Sequence, residues 1–458
     1  MRDRSSFDTW DNSLIRDAIL TFMKSSGVLV ALCLFSAISL AQAPQSSFRG
    51  GPSHLGVYNS PAPTHLSLKW AFPTNGAIVS SPAVAAGVVY AGSADGGLYA
   101  VEAATGKLRW RFDAHGGVNS SPAVDGSSVY AVSLDGNLYA VDTATGKQRW
   151  AFATKGEHRF TAPGVLGTHP SSEIMPDPWD FYTSSPTVAA GIVYFGSGDG
   201  NIYAVDASTG ALRWSFKTGD VVHSSPTVSD GTLYAGSWDT YFYALNAATG
   251  ELKWKFKTGD DLNTHLMTGI PGSAAVANVT VYFGSRDANF YALDAATGAL
   301  KWKVPNDGSW VIASPAVADG VVYYTTSDSH RFQALDANSG KILYWLPTHI
   351  FAFSSPAIAG THAYFGTFDG QLHAVDLDKH AYAGAFAAPG LAANGPRYLG
   401  PDGGIKDDIV WTGDTLDDMI VNIRTKVFSL GSILSSPAVQ DGVVYFGSVD
   451  GKLYAVGD

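Results

Sequence analysis

The sequence predicts an all-β fold, an eight-bladed β-propeller made of four-stranded antiparallel blades. Three observations lead to this prediction. A unit of about 40 residues recurs eight times, which is the period of a four-stranded propeller blade. The chain is rich in Gly and Asp but poor in Glu, which favours tight turns over helices. The last unit lacks its fourth strand, and a segment with the sequence of that strand precedes the first unit.

The repeat is clearest in its first copies, SSPAVAAGVVYAGSADGGLYAVEAATGKLRWRF (80–112) and SSPAVDGSSVYAVSLDGNLYAVDTATGKQRWAF (120–152). Two more begin at Ser184 and Ser224, weaker copies begin near Gly272, Ala313 and Ser354, and the last begins at Ser435. One Asp marks a tight turn in each copy: Asp95, Asp135, Asp199, Asp239, Asp287, Asp328, Asp369 and Asp450.

Each unit divides into four strands, A to D. SPAV is strand A, and VVYAGS alternates as strand B. Asp-Gly makes the B–C hairpin turn, because that turn needs positive φ. LYAVD is strand C, and LRWRF follows an ATG turn as strand D. Strands A and B are apolar on both sides, as expected for sheets that pack face to face against neighbouring blades.

The last unit ends after strand C, and LSLKWAF (66–72) supplies the missing strand D. Its tryptophan occupies the position of the other repeat tryptophans, which we expect to pack between blades: Trp70, Trp110, Trp150, Trp214, Trp254 and Trp302. An N-terminal strand that completes the last blade closes the ring and hides its edges. We therefore predict one propeller domain over 66–458, preceded by an N-terminal extension over 42–65.

Composition excludes several classes of protein. A hydrophobic content of 46% excludes disorder, and a formal charge of −11 disfavours nucleic acid as a partner. The glutamates are Glu102, Glu157, Glu173 and Glu251, and every other acidic residue is Asp. Cys33 is the single cysteine and lies in the leader, so the mature chain has no disulfide and no cysteine-ligated metal.

The N-terminal residues 1–41 are predicted to be a leader with a signal peptide. Residues 27–41, GVLVALCLFSAISLA, form an apolar stretch that is short for a membrane span, and cleavage is expected after Ala41. The mixed charge before Met23 suggests that translation starts at Met23. Export to the periplasm or beyond follows, with no membrane span in the mature chain. An anchor helix is the alternative, whereas Leu32 before Cys33 disfavours a lipoprotein.

The repeat is interrupted at 153–183, 257–271 and 379–433, each time between strand D and the next strand A. These connections lie on the same face as the B–C turns, so one face is expected to carry the function. The candidates for contact with a cofactor are Glu157, Glu173, Trp179, Trp238, Trp310, Arg397 and Trp411. The candidates for contact with a partner are His223, His265, Tyr398, Asp407 and Asp408.

Each group of candidates also has a simpler structural interpretation. The turn aspartates are expected to cap their own turns. The acidic stretch 407–418 is expected to be a solvated loop, although clustered carboxylates also suit Ca²⁺. The tryptophans outside the repeat are expected to plug the channel mouth, although they also suit ligand stacking or partner anchoring. His223 and His265 are expected to be polar surface residues.

A phrase within the repeat resembles a known docking motif. It occurs as AVEAATGKLRW (100–110), AVDTATGKQRW (140–150), AVDASTGALRW (204–214), ALNAATGELKW (244–254) and ALDAATGALKW (292–302). These segments resemble the tryptophan-docking repeat of the pyrroloquinoline quinone (PQQ)-like propeller superfamily. FRGGPSHLGVY (48–58) is similar to the segment before the first blade of many members. The motif is less well kept in the C-terminal units, and Tyr344 stands at the tryptophan position of the sixth unit.

The resemblance implies two alternative functions. One branch of the superfamily contains PQQ- and Ca²⁺-dependent dehydrogenases that oxidise alcohols or sugars, in which a Glu, an Asn and an Asp hold the metal. Here only Glu157 and Glu173 lie outside the repeat, and no haem motif or mature cysteine is present. Another branch resembles the propeller subunit of the outer-membrane β-barrel assembly machinery. We favour an exported, non-catalytic scaffold without a cofactor, which binds a protein, peptide or glycan.

Overall fold

The computed structural model describes residues 45–164 and 172–458, and over these residues the predicted architecture is confirmed. Eight antiparallel sheets form the blades, each with its strands in the order A, B, C and D. The leader, with Met23 and Cys33, lies outside the described residues. Within the described ranges, no helix is long and apolar enough to cross a membrane.

The secondary-structure elements follow the repeat closely. The N-terminal segment contains β1 (Gln45–Ser46), a 3-10 turn (Phe48–Gly50), β2 (Val57–Tyr58) and β3 (Ser67–Pro73). Blade 1 comprises β4 (Ala83–Ala85), β5 (Val88–Gly92), β6 (Gly97–Glu102) and β7 (Leu108–Asp113). Blade 2 comprises β8 (Ala123–Asp125), β9 (Ser128–Val132), β10 (Asn137–Asp142) and β11 (Gln148–Ala153). A hairpin of β12 (Thr161–Pro163) and β13 (Ile174–Pro176) follows.

The next blades continue the same pattern. Blade 3 comprises β14 (Thr187–Ala189), β15 (Ile192–Gly196), β16 (Asn201–Asp206) and β17 (Leu212–Lys217). Blade 4 comprises β18 (Thr227–Ser229), β19 (Thr232–Gly236), β20 (Tyr241–Asn246) and β21 (Leu252–Lys257). Blade 5 comprises β22 (Ala275–Ala277), β23 (Thr280–Gly284), β24 (Asn289–Asp294) and β25 (Leu300–Pro305).

Helices separate the last two blades, 7 and 8. Blade 6 comprises β26 (Ala316–Ala318), β27 (Val321–Thr325), β28 (Arg331–Asp336) and β29 (Ile342–Pro347). Blade 7 comprises β30 (Ala357–Ala359), β31 (His362–Gly366), β32 (Gln371–Asp376) and β33 (Ala381–Ala387). Helices α1 (Pro389–Tyr398), α2 (Asp407–Val410) and α3 (Leu416–Phe428) follow. Blade 8 comprises β34 (Ala438–Gln440), β35 (Val443–Gly447), β36 (Lys452–Gly457) and β3.

The ring closes as the sequence predicts. Strand β3 pairs antiparallel with β36, the last strand of the chain, and Trp70 lies opposite Ala455. The same register places Trp110 opposite Ala100 in blade 1. Blade 8 is therefore completed by residues from the start of the domain, and its strand C does not remain an open edge.

The repeat tryptophans hold six of the eight blades to the next one. The indole N–H of Trp214 donates a hydrogen bond to the carbonyl of Ala247, at the C–D turn of the next blade. A Cβ on Gly250 of that turn would lie 2.7 Å from the Trp214 ring, and its φ is +75°. Gly is needed there both for its left-handed conformation and for the close approach of the ring. The indole N–H groups of Trp70, Trp110, Trp150, Trp254 and Trp302 make the equivalent bonds.

The loss of the tryptophan from blades 6 and 7 has a physical cause. In blade 6, Tyr344 replaces the tryptophan and stacks on His380, which stands in the turn of blade 7 where the earlier blades have Gly. In blade 7, Gly384 occupies the tryptophan position opposite Ala374. The next blade is blade 8, whose strands C and D come from opposite ends of the domain. Blade 8 therefore has no C–D turn on which a tryptophan could dock.

The SSP motif ties strands together in two ways. The first serine bonds within its blade: the Ser80 hydroxyl pairs with the backbone of Gly92 on strand B. The second serine bonds between blades: the N–H of Ser81 donates to the hydroxyl of Ser121 at 3.0 Å. Equivalent bonds run on around the axis until Ser436 donates to Ser81, giving a closed ring of serines: Ser81, Ser121, Ser185, Ser225, Ser273, Ser314, Ser355 and Ser436.

The N-terminal extension is part of the propeller and does not lie apart from it. Residues 45–60, which we call the strap, contact strand A or its turn in all eight blades. Its partners are Val84, Val124, Thr187, Val228, Val276, Val317, Ile358 and Gly442.

Two buried side chains of the strap add further contacts. Arg49 is 1% exposed and donates to the carbonyls of Pro315 and Pro356. Burial lowers the pKa of His54 to about 3, so its ring is neutral beside Thr187 and Thr227.

Seven of the eight turn aspartates cap their own turns, as expected, by accepting from the backbone N–H two residues later, and Asp328 is the exception. Asp95 accepts from the N–H of Gly97 and from the hydroxyl of Tyr99. It also accepts from the N–H of Asn75, in the connection that leads into strand A. Asp199 accepts in the same way from Lys155, in the first insertion. These bonds place the B–C turns and the insertions on one face, as predicted.

Candidate functional site

The insertions fold together over one end of the channel. We call the described residues of 153–164, 172–183, 257–271 and 388–433 the cap. The third insertion begins at Ala388 and not at residue 379, because Ala381–Ala387 forms strand D of blade 7. One hydrophobic cluster joins Phe160 of the first insertion and Ile423 of the third to Trp238 and Trp310 of the blades. The cap is therefore packed into the channel mouth and is not a set of separate loops.

The acidic stretch 407–418 is not a loop throughout, contrary to the sequence expectation. It folds into α2 and the start of α3. Helix α3 begins with a capping box, in which Thr415 accepts from the N–H of Asp418 and the Asp418 carboxylate accepts from the N–H of Thr415. Its inner side carries Ile420, Ile423 and Val427 into the hydrophobic cluster.

A buried histidine lies between two carboxylates at the mouth. His223 Nδ1 is 2.6 Å from Asp180, and its Nε2 is 2.9 Å from Glu157. All three side chains are 2% exposed. Burial alone would lower the pKa of His223, but the charge and hydrogen bond of Asp180, with those of Glu157, raise it to about 10. His223 is therefore a buried cation, and the expectation that it is a surface residue is wrong.

Both carboxylates of this triad are occupied by further donors. Glu157 also accepts from the N–H of Gly198 and the hydroxyl of Ser197. Asp180 also accepts from the N–H of Phe160. The triad thus links the first insertion to blades 3 and 4, and its two carboxylates face one histidinium together with these neutral donors.

A second buried ion pair fixes the first insertion to blade 5. Arg286 bonds Asp177, and these side chains are 1% and 0% exposed. The guanidinium carbon lies 3.8 Å from the ring centroid of Trp310 and 4.8 Å from that of Trp238. Phe160 stacks on Trp238 at 4.7 Å. Trp238 and Trp310 therefore plug the mouth, in agreement with their simpler interpretation.

The remaining candidates do not gather at one point. Tyr398 is buried in the hydrophobic cluster, and Trp179 packs against it from a half-buried position. His265 is half-buried beside Phe160. Glu173, Arg397, Asp407, Asp408 and Trp411 are exposed on the cap. His169 of the first insertion lies outside the described residues.

Sequence reasoning missed the role of Arg286. It stands directly before the turn Asp287, where the other blades carry Ala94, Leu134, Gly198, Trp238, Ser327, Phe368 and Val449. A charged residue at this otherwise uncharged position was the available signal. Its partner, Asp177, could not be paired with it from the sequence, because the insertions have no repeat to fix their register.

The mouth does not fit the ligands that the resemblance to PQQ-dependent enzymes implies. The axial cavity beside the serine ring has a volume of about 50 Å³, whereas small-molecule sites usually measure about 300–1,000 Å³. Glu157 is held by His223, and Glu173 is exposed on the hairpin. Within residues 45–164 and 172–458, no group of three or more His, Cys, Asp or Glu side chains is arranged to hold a metal ion.

Larger cavities lie beside the mouth, under the edges of the cap. One of about 290 Å³ is lined mainly by aromatic and aliphatic side chains, including Trp179, Trp310 and Trp411. An open groove of about 650 Å³ adjoins it and shares Asp328, Phe351 and Trp411. A third cavity, of about 280 Å³, is lined by Glu157, Asp180 and His223. The cap therefore offers recesses both at its rim and beside the buried triad.

The closed ring of eight blades and the tryptophan-docking turns define a PQQ-like repeat propeller. A family model described as outer membrane protein assembly factor BamB matches residues 67–174, 164–271 and 258–379. The chain belongs to this family. A comparison with curated protein sequences gives no significant match.

Solved structures share the fold at low sequence identity. BamB from Moraxella catarrhalis is 17% identical with a TM-score of 0.60, covering 86% of this chain and 98% of that one. The computationally designed Ika8 protein gives the same values. Quinohemoprotein alcohol dehydrogenase from Comamonas testosteroni is 15% identical with a TM-score of 0.64, covering 90% and 80%. Because an assembly factor, a design and an enzyme all match, this likeness describes the fold alone.

Proposed function

We propose that this protein is a non-catalytic scaffold that binds a protein partner through the outer surface of its cap. The observation that carries the proposal is that the cap packs into the channel mouth and leaves an axial cavity of only about 50 Å³. Charged side chains there are paired with one another, as in His223 with Glu157 and Asp180, while Trp238 Nε1 and Arg286 Nη2 are buried without a hydrogen-bond partner. An axial cofactor would have to displace these buried pairs, and such displacement costs several kcal/mol. The family match to an outer membrane assembly factor supports a protein partner and, with the predicted leader, a periplasmic location.

The outer surface of the cap has the composition of a binding surface. Large apolar side chains are exposed there, with Leu262 77%, Val421 50% and Trp411 39% accessible. Leu266 is also 40% exposed, and it lines the same cavity as Trp411, so these two side chains belong to one area. Exposed apolar patches on soluble proteins commonly mark interaction sites, and tryptophan is enriched among the residues that contribute most to binding.

Site-specific photocrosslinking in the native host tests this proposal. A photoreactive residue at Leu262 or Trp411 is expected to form a discrete adduct with another protein, identified by mass spectrometry. Val279 is the matched control, because it is 70% exposed and lies on an A–B turn, at the opposite face. Adducts of equal yield at Val279, or none at the cap, would contradict the proposal.

A further inference from the structure

The cavity of about 290 Å³ beneath the edge of the cap is lined largely by aromatic rings. We call it the aromatic cavity. Its rings come from blades 5 to 7 and from two separate insertions: Trp179, Trp310, Phe351, Phe353 and Trp411. Trp411 is 39% exposed, so the cavity is open to solvent on this side. Aromatic faces carry negative electrostatic potential and attract cations.

One carboxylate, that of Asp328, lines the aromatic cavity. Asp328 stands at the B–C turn of blade 6 but differs from its equivalents. Its counterpart in blade 1, Asp95, accepts from Tyr99 on strand C. Blade 6 has Gln333 at the position of Tyr99, and the amide of Gln333 donates to Asn306 and not to Asp328. In blade 1 the N–H of Gly97, at the start of strand C, donates to Asp95, whereas the equivalent N–H of Arg331 donates to the hydroxyl of Thr326. The Asp328 side chain is thus exposed and lacks the donors that hold Asp95 in its turn.

The nearby cations are already engaged. Arg286 lies 3.8 Å from the centroid of Trp310 and is paired with Asp177. Arg331 pairs with Asp307 at 2.8 Å and lies over Trp345. Burial lowers the pKa of His330, which keeps its ring neutral near pH 7. Asp328 is therefore the uncompensated charge that lines the aromatic cavity.

We propose that the aromatic cavity binds an organic cation, an ammonium or guanidinium group carried on an apolar stem. The aromatic rings contact the stem and attract the cation, and Asp328 neutralises its charge. Trp310 already holds a guanidinium in this way, that of Arg286. The inference goes beyond the proposed scaffold function, because the cation can be a free small molecule or a side chain of a partner protein.

Titration of the purified mature chain tests the inference, with indole fluorescence and calorimetry as readouts. Choline is compared with its uncharged isostere 3,3-dimethylbutan-1-ol, and a blocked arginine amide with the blocked citrulline amide. We expect at least one cation to bind about tenfold more tightly than its uncharged counterpart. Preference for choline would indicate a small molecule, and preference for arginine would indicate a partner side chain.

Variants link the binding to the cavity. Asp328→Asn and Trp411→Leu are each expected to weaken binding of the cation about tenfold, since each removes one source of attraction. Asp408→Asn and Trp345→Leu are matched controls on exposed side chains outside the cavity, and they are expected to bind normally. Equal affinity for the uncharged isosteres, unchanged binding by Asp328→Asn, or no binding of either cation would overturn the inference. Crosslinking through the cap could still succeed in that case, so the two proposals fail separately.

Discussion

Replacement of Asp177 by asparagine is expected to lower the free energy of unfolding by about 3–5 kcal/mol. Asp177 is fully buried and is the charged partner of Arg286, which is 1% exposed. Asparagine keeps the shape of the side chain but removes its charge, and the guanidinium then remains buried without compensation. Urea unfolding followed by fluorescence and circular dichroism measures the loss.

The double variant Asp177→Asn with Arg286→Met is the matched control. Methionine keeps an apolar side chain beneath Trp310, and the substitution removes the guanidinium of Arg286 that would otherwise be unpaired. We expect the double variant to be more stable than Asp177→Asn by about 2 kcal/mol, since buried ion pairs are strongly coupled. A loss below about 1 kcal/mol in Asp177→Asn would show that the ion pair does not hold the cap to blade 5.

The second large effect is a dependence of stability on pH that arises from His223. Its pKa is about 10 in the folded protein, above the usual 6.5. A raised pKa gives stability that is fully present below pH 6.5 and is lost as the pH rises through 10. The difference in pKa corresponds to about 4–5 kcal/mol over this range. The contribution weakens at high pH because His223 loses the positive charge that attracts Glu157 and Asp180.

Comparison with His223→Gln isolates this contribution from other titrating groups. Glutamine cannot be protonated, so its carboxylate neighbours lose their counter-charge at every pH. We expect the wild type to exceed the variant in stability at pH 6 and the difference to shrink steadily towards pH 10. A difference that stays constant between pH 6.5 and 10 would mean that His223 is neutral in the folded protein.

The repeat made most of the fold predictable. The tryptophans and the turn aspartates recur at fixed positions, so the blade number, the strand order and the closing role of Trp70 could be read from the sequence. The strap could not, because residues 45–60 have no repeat of their own. Their contacts are mostly backbone hydrogen bonds to strands A, and such bonds leave little trace in the residue types.

The cap was predictable in position but not in its internal contacts. The interruptions of the repeat correctly place it on the face of the B–C turns. The pairing of His223 with Asp180 and Glu157 joins segments that are 43 and 66 residues apart. Neither pairing follows a periodic pattern, and a histidine before a strand is compatible with a surface position. The tertiary fold alone makes it a buried cation.

The scaffold proposal predicts that the protein holds no PQQ or Ca²⁺ at the channel mouth, into which its own cap packs. The most direct measurement is incubation of the purified protein with PQQ and Ca²⁺, followed by desalting, absorbance and dye-reduction assays with a panel of alcohols and sugars. We predict no retained quinone absorbance and no turnover, while circular dichroism confirms the folded propeller. Stoichiometric retention of PQQ together with turnover would contradict the scaffold proposal.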